Sequence, residues 1–551
     1  MGRSDSDSGT IVAGALGECV HVAGVINFLR LAEKAGWRTV FLGPANSIED
    51  ILDAARKESA DLVGVSYRLT PETGERLLGD FAESADELHA VGVRFAFGGT
   101  PPVATRADAL GLFERVFDGS QSLETILAYL KGGVDEVGEP PDYPQNLIDR
   151  IRWKTPYPLL RHHFGLPTME ATEKGIRRVA EANALDVISI GVDQDAQQNF
   201  FHPDRQNPRA RGAGGVPVRS VEDYNKLYGA SRVGNHPLMR TYSGTDDFIE
   251  LAEMYVETIH NAWCAIPLFW FNQMDGRGPW DLEGSIEQHQ RVMAWYGERK
   301  IPVELNEPHH WGMRDAPDVI FVVSAYFSAH NARAFGVQDY IAQMMFNSPY
   351  GTSDAMDIAK MMACLKIIDP LAGSDFRIWR QTRTGLLSYP LDMTEARAHL
   401  AASVYVQMSL DPHIVHVVGH TEAHHAATAE DVIEACKIAG RSITNSVNGA
   451  PDMTTDPAIQ TRAEELVSEA EYTLEAIKSL ASSGVEDPLI DPATLTRAIT
   501  TGILDAPQLK NNAYAVGLIS TVFEERGACV VADPGTGKSI PEKERLARLG
   551  V

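Results

Sequence analysis

An imidazole, a hydroxyl and a pair of glycines recur near the start of this chain at separations that could build one ligand site. His21 stands in Gly17-Glu18-Cys19-Val20-His21-Val22-Ala23-Gly24. Ser66 follows the apolar run Leu62-Val63-Gly64-Val65, with Leu69 just beyond it, and Gly98-Gly99 follows Val93-Arg94-Phe95-Ala96-Phe97. A neutral imidazole can ligate a metal, and glycine lets backbone approach a ligand closely. That chemistry needs the three stretches at one edge. They reach it if each ends a parallel strand, because open α/β sheets bind ligands at the carboxyl ends of their strands.

The surrounding pattern supplies such a sheet. Apolar stretches predict strands over 10–16, 38–42, 61–66, 93–97 and 115–117, and helices over 48–59, 72–90 and 123–130. Val22, Val25, Ile26 and Leu29 fall at helical spacing, which puts His21 on the loop between the first strand and the first helix. The layout over 1–133 is flavodoxin-like, that is Rossmann-like. The Gly-, Pro- and acid-rich stretch 132–144 reads as linker. The expected division is a domain over 1–133, a linker over 134–157 and a second domain over 158–551.

In the second domain, candidate strands at 187–190, 265–269, 302–305, 334–337 and 415–418 alternate with amphipathic helices at 248–260, 286–298, 354–367 and 395–408. One strand per helix predicts a (β/α)8 TIM barrel with its chemistry on the carboxyl-end loops. The stretch after 506 reads as an added small subdomain. Asn306-Glu307-Pro308-His309-His310-Trp311 follows a strand and reads as active-site lining, with Arg314 and Asp315 as secondary candidates. His420 and His424 have the spacing of a metal pair on a helix, but a loop is expected there and no third ligand is identifiable. Asp533-Pro534-Gly535-Thr536-Gly537-Lys538-Ser539 looks like a phosphate-binding loop; Ala532 occupies the position of its first glycine, so it reads as a turn.

The totals exclude several classes. The 551 residues suit two or three domains. A net charge of −26 argues against nucleic-acid binding, which needs a basic face. Five cysteines lie far apart with no Cys-x-x-Cys pair, so a reduced, cytoplasmic protein is expected rather than a zinc ribbon or a disulfide scaffold. No apolar run is long enough to span a membrane, so no membrane partner is expected.

The order His21, Ser66, Gly98-Gly99 resembles the cobalamin-binding domain of methionine synthase, methylmalonyl-CoA mutase and glutamate mutase, whose pattern is Asp-x-His-x-x-Gly, Ser-x-Leu, Gly-Gly. The resemblance implies His21 as the lower ligand of cobalt, Gly24 as the glycine of that motif, Ser66 and Leu69 against the displaced nucleotide tail, and Gly98 and Gly99 beneath it. Cys19 stands where the family has Asp. Loss of that carboxylate, which orients the histidine, should weaken or retune the cobalt bond. The Ser-to-Leu spacing is also one residue longer.

The second domain resembles the large chain of glutamate mutase along several stretches: Val192 to Asn199, His236 to Thr241, Val415 to Ala423 and Thr501 to Pro507. The pairing implies adenosylcobalamin as cofactor and a radical isomerase, either a carbon-skeleton or an amino-group mutase. Arg240 matches one substrate arginine. Gln197 replaces another, and a third falls near His162-His163, with Arg161 close by. Glu422 corresponds to a contact of the adenosyl ribose, although Val418 replaces a lysine. A small carboxylic or amino acid other than glutamate is expected, held by Arg240, Gln197, Asn199 and His163. A homodimer is the expected assembly. The rival readings are a cobalamin-dependent methyltransferase and a non-catalytic cobalamin carrier or sensor.

Overall fold

The computed structural model describes residues 9–119, 121, 123–131 and 143–551. The chain forms two compact units, Met1–Glu139 and Pro140–Val551.

The first unit is a five-stranded parallel sheet in the order β2-β1-β3-β4-β5, built from β1 (Thr10–Ala15), β2 (Arg38–Phe41), β3 (Leu62–Tyr67), β4 (Arg94–Gly99) and β5 (Arg115–Phe117). All six residues of β1 and of β3 are buried, as expected for central parallel strands covered by helices on both faces. Helix Ala23–Lys34 buries Val25, Leu29 and Ala32 on one face of the sheet. Helices Ile48–Lys57 and Pro71–Ala90 bury Ile51, Leu52, Leu78 and Phe81 in the cluster on the other. A reciprocal Ser47–Asp50 capping box starts helix Ile48–Lys57. The chain order reverses between β1 and β3, which is where such sheets open a ligand crevice.

The second unit is a closed barrel of eight parallel strands in chain order: β6 (Leu159–Phe164), β7 (Val187–Ile190), β8 (Leu238–Tyr242), β9 (Cys264–Ile266), β10 (Val303–Leu305), β11 (Asp339–Phe346), β12 (Arg377–Thr384) and β13 (Ile414–His416). Inward positions recur every second residue, so the interior is layered. The amino-end layer is apolar, with Leu159, Val187, Leu238, Trp263, Ile341 and Ile414 in one cluster. Leu147 and Ile151 of helix Leu147–Lys154 join that cluster, and Arg150 donates to the carbonyls of Pro144, Asn235 and His236. The linker expected over 134–157 therefore ends earlier, because this helix belongs to the barrel unit.

Three further expectations are corrected. The apolar stretch 334–337 is not a strand: it ends helix Asp318–Ala334 and turns at Gly336 (φ 80°), and the strand follows at Asp339–Phe346. Strands β6, β8 and β12 were not expected, because inward arginines break up their apolar runs. The stretch after 506 is not a separate subdomain. Its antiparallel pair, β14 (Ser520–Phe523) with β15 (Cys529–Ala532), leads to a helix, Glu542–Arg548. There Glu542 accepts from Thr473 and Arg545 donates to the carbonyls of Gly502 and Ile503. Residues 533–538 form a turn whose Asp533 accepts from the amides of Gly535 and Thr536 and pairs with Arg548. No helix among the described residues is long and apolar enough to cross a membrane.

Candidate functional site

A cleft of about 420 Å³ opens in the first unit beside the carboxyl ends of β3 and β4. Ser66, Gly98, Gly99, Gly24, Phe28 and Ile126 are among its lining. A Cβ on Gly98 would meet nothing within 4 Å, so this position keeps an open edge. A Cβ on Gly99 would lie 2.7 Å from the Tyr67 carbonyl oxygen, so glycine is needed there for close packing. Leu69 is exposed and lies outside the lining.

His21 is exposed, two residues before helix Ala23–Lys34. Its Nδ1 lies 4.0 Å from the Sγ of Cys19, which is fully buried. The thiol thus stands beside one ring nitrogen, Nδ1, rather than Nε2. Glu18, adjacent in sequence, is exposed.

In the second unit, the layer above the apolar plug is ionic. Arg161 of β6 and Arg240 of β8 flank Glu304 of β10, at 3.5 and 3.8 Å. All three are essentially inaccessible to solvent. Arg161 is saturated: it donates to Ser189 Oγ at 2.7 Å and Gln381 Oε1 at 2.9 Å, and its Nη2 lies 3.0 Å from His163 Nε2. Glu304 also accepts from Trp263 Nε1 at 2.7 Å. Arg240 makes one long hydrogen bond, to Ser189 Oγ at 3.4 Å, and its Nε and Nη2 have no hydrogen-bond partner. That is one full edge of a guanidinium, the edge that grips a carboxylate with two parallel bonds.

Nearer the mouth, His163 stacks on Tyr242 with ring centroids 5.4 Å apart, and its Nε2, which accepts from Arg161, also accepts from the Tyr242 hydroxyl 3.0 Å away. His416 of β13 meets His163 edge-on at 4.9 Å. Arg383 of β12 is buried there too. Burial, then the guanidiniums of Arg161, Arg240 and Arg383, hold His163 well below the usual histidine range. His416 is depressed by burial, Arg161 and Arg383. Burial alone would raise the Glu304 carboxyl, but Arg161 and Arg240 overcome it and hold it below its ordinary value. Burial, then Arg240, lowers Arg161 to about 9. Three guanidiniums therefore face one buried carboxylate, a cationic interior suited to an anion.

The other expected residues fall in different places. Gln197 lies on the short helix Gln194–Gln198 after β7, and Asn199 just past its end donates to Asp195 at 3.0 Å. Neither shares a hydrogen bond with Arg240. Glu422 is on the loop after β13; desolvation holds its carboxyl above the ordinary value, and Arg383 opposes that only in part. His309 and His310 are buried on helix Glu307–Gly312, with His309 Nδ1 and both nitrogens of His310 unpartnered. Arg314 lies over the ring of Trp270, 3.7 Å from its centroid, and Asp315 accepts from Gln508. Sequence reasoning missed Glu304 and Arg383 and left Arg161 at the margin. The signal was there: a charge centred in Val303-Glu304-Leu305, within a short apolar strand, marks an inward ionic position.

The B12 binding domain family matches residues 9–126. The glutamate mutase sigma subunit of Clostridium tetanomorphum is 32% identical over 130 residues, which are 22% of this chain and 93% of that protein. Among solved structures, a cobalamin-binding protein from Desulfitobacterium hafniense DCB-2 is 19% identical with a TM-score of 0.19, over 22% of this chain and 56% of that one. A 2,3-dimethylmalate lyase is 12% identical with a TM-score of 0.26, over 58% of this chain and 94% of that one.

Proposed function

The chain belongs, through its first unit, to the B12-binding domain family, and on that premise we propose that it is an adenosylcobalamin-dependent radical isomerase whose barrel takes a small carboxylic or amino acid. The residues present fit the cofactor: an exposed imidazole, and a cleft whose glycine edge leaves room above Gly98. His21 would hold cobalt through Nε2. Ser66, Gly98 and Gly99 would border the nucleotide tail. The cofactor, when bound, supplies the hydrogen-abstracting radical chemistry that side chains cannot.

The observation that carries the substrate reading is the edge of Arg240 that makes no hydrogen bond inside a cationic barrel. A carboxylate there satisfies two orphaned donors and offsets the excess of guanidinium charge. Glu304 Oε2 lies 3.8 Å from Nη2 of that edge and the Trp263 ring 5.3 Å from the guanidinium carbon, and together they orient it. Neutral His163, packed on Tyr242, borders the same layer and can exchange a proton with a substrate amine or hydroxyl. The apolar plug below closes the amino end to water, as a radical reaction requires. Gln197, in place of another carboxylate-binding arginine, argues against glutamate as the substrate.

The test is an anaerobic spectroscopic titration of the full chain with adenosylcobalamin, followed by electron paramagnetic resonance with candidate acids. A His-ligated, base-off spectrum that His21→Ala abolishes, with the fold intact, is expected; an unchanged spectrum in that variant removes His21 as the ligand. A substrate-dependent radical signal is expected from the wild type. Tight binding with no radical favours the carrier or sensor reading, for which the thiol in place of a carboxylate at Cys19 is the supporting observation.

A further inference from the structure

The loop after β13 carries a buried histidine that the reaction does not use. The His420 side chain is fully inaccessible, yet neither ring nitrogen has a hydrogen-bond partner. A buried imidazole without a partner is costly. Helix Ala429–Val447 brings two carboxylates to it, Asp431 and Glu434, one turn apart on the same face. One ligand atom from each of the three lies within 4.8 Å of the other two, and the closest approach, His420 Nε2 to Glu434 Oε2, is 3.4 Å. These carboxylates are half-exposed, so solvent reaches the site and can complete a coordination shell.

Both carboxylates have other contacts. Arg397 donates to Glu434 from Nε at 2.7 Å and Nη2 at 3.2 Å. Asp431 accepts from the amide and hydroxyl of Thr428 in the helix capping box, and His425 Nε2 lies 3.2 Å from it. A metal-bound carboxylate commonly keeps such outer hydrogen bonds, which orient it. The capping bonds leave the second Asp431 oxygen available. Arg397 is a competitor, since its charge repels a cation.

We propose that His420, Asp431 and Glu434 form a site for one divalent first-row transition ion of zinc-like preference. One imidazole and two carboxylates, with water, form a mixed nitrogen–oxygen donor set that favours zinc over magnesium or calcium. The ion would pin the loop 417–421 to the following helix, and so fix the approach to Glu422. This inference stands apart from the cobalamin reading and is measured without that cofactor.

Full-length protein stripped with a chelator is titrated with zinc against a chromophoric competitor, and the bound metal is counted by elemental analysis. One zinc per chain is expected. His420→Ala and Glu434→Gln should each weaken binding at least about tenfold, since even outer-shell changes cost that much. Arg397→Gln should tighten binding, an outcome that loss of packing would not produce. Far-ultraviolet circular dichroism checks that each variant is folded. No stoichiometric zinc in the wild type, or zinc retained equally by His420→Ala and Glu434→Gln, overturns the site.

Discussion

The first unit makes its ligand edge from backbone: glycines at the end of β4 and an exposed imidazole on a loop, with both described histidines of the unit, His21 and His89, exposed. The barrel makes its site from buried side chains: two arginines around Glu304, with neutral histidines packed above them. The comparison teaches that an open edge can meet a large cofactor at little electrostatic cost. A closed interior must hold its own charges in balance and leaves an imbalance only where a ligand completes it.

Acid should separate the two units most strongly. Burial pushes His162 and His289 down to about 4, and His163, His309, His310 and His416 lie well below the ordinary value near 6.5. Below pH 6.5 the unfolded chain takes up protons that the folded barrel refuses. This stability is present above pH 6.5 and is lost as pH falls toward 4, at up to about 1.4 kcal/mol per histidine per pH unit. Glu307, Glu469 and Asp357, raised by burial to about 8, 7 and 6, work in the opposite sense, but the buried histidines outnumber them. Seven of the eight tryptophans lie beyond residue 140, so fluorescence-monitored denaturation at pH 7 and pH 5 reads mainly the barrel. A barrel midpoint that does not move between these values would contradict the buried neutral histidines.

Next in size is Arg240→Ala. Loss of its guanidinium edge should weaken substrate binding by about 2–5 kcal/mol, the range for truncating one partner of a buried charged pair. Cobalamin affinity should stay unchanged. A calorimetric substrate titration beside a cobalamin titration measures both, and a variant that binds substrate normally ends the carboxylate assignment.

The smallest effect sharpens the first unit. Cys19→Asp places a carboxylate near His21 Nδ1, where the thiol now sits at 4.0 Å. A partner of that kind raises ligand basicity, and about a tenfold gain in cobalamin affinity is expected. Equal affinity in variant and wild type would show that position 19 does not tune the imidazole.

How much of each site could be read in the chain follows from the same contrast. The cleft is local: β1, β3 and β4 are continuous apolar runs, Ser66 and Gly98-Gly99 sit at the ends of β3 and β4, and His21 lies two residues before the first helix, so period and punctuation located these stretches. Leu69, beyond the end of β3, is exposed to solvent. The existence of a barrel was legible from strand–helix alternation. Three of its strands were not, because inward arginines erase the apolar pattern that identifies a strand.

Alternation and motif spacing thus determined the two architectures and the residues grouped at the edge of the first unit, while Arg240 entered as a candidate only through family resemblance. Only the closure of eight strands decided that Arg161, Glu304 and Arg383, separated by up to 222 positions in the chain, share one interior. Local periodicity carries no information about which strands face one another across a barrel. That is set by the packing that closes it, and so are the charges left unpaired inside.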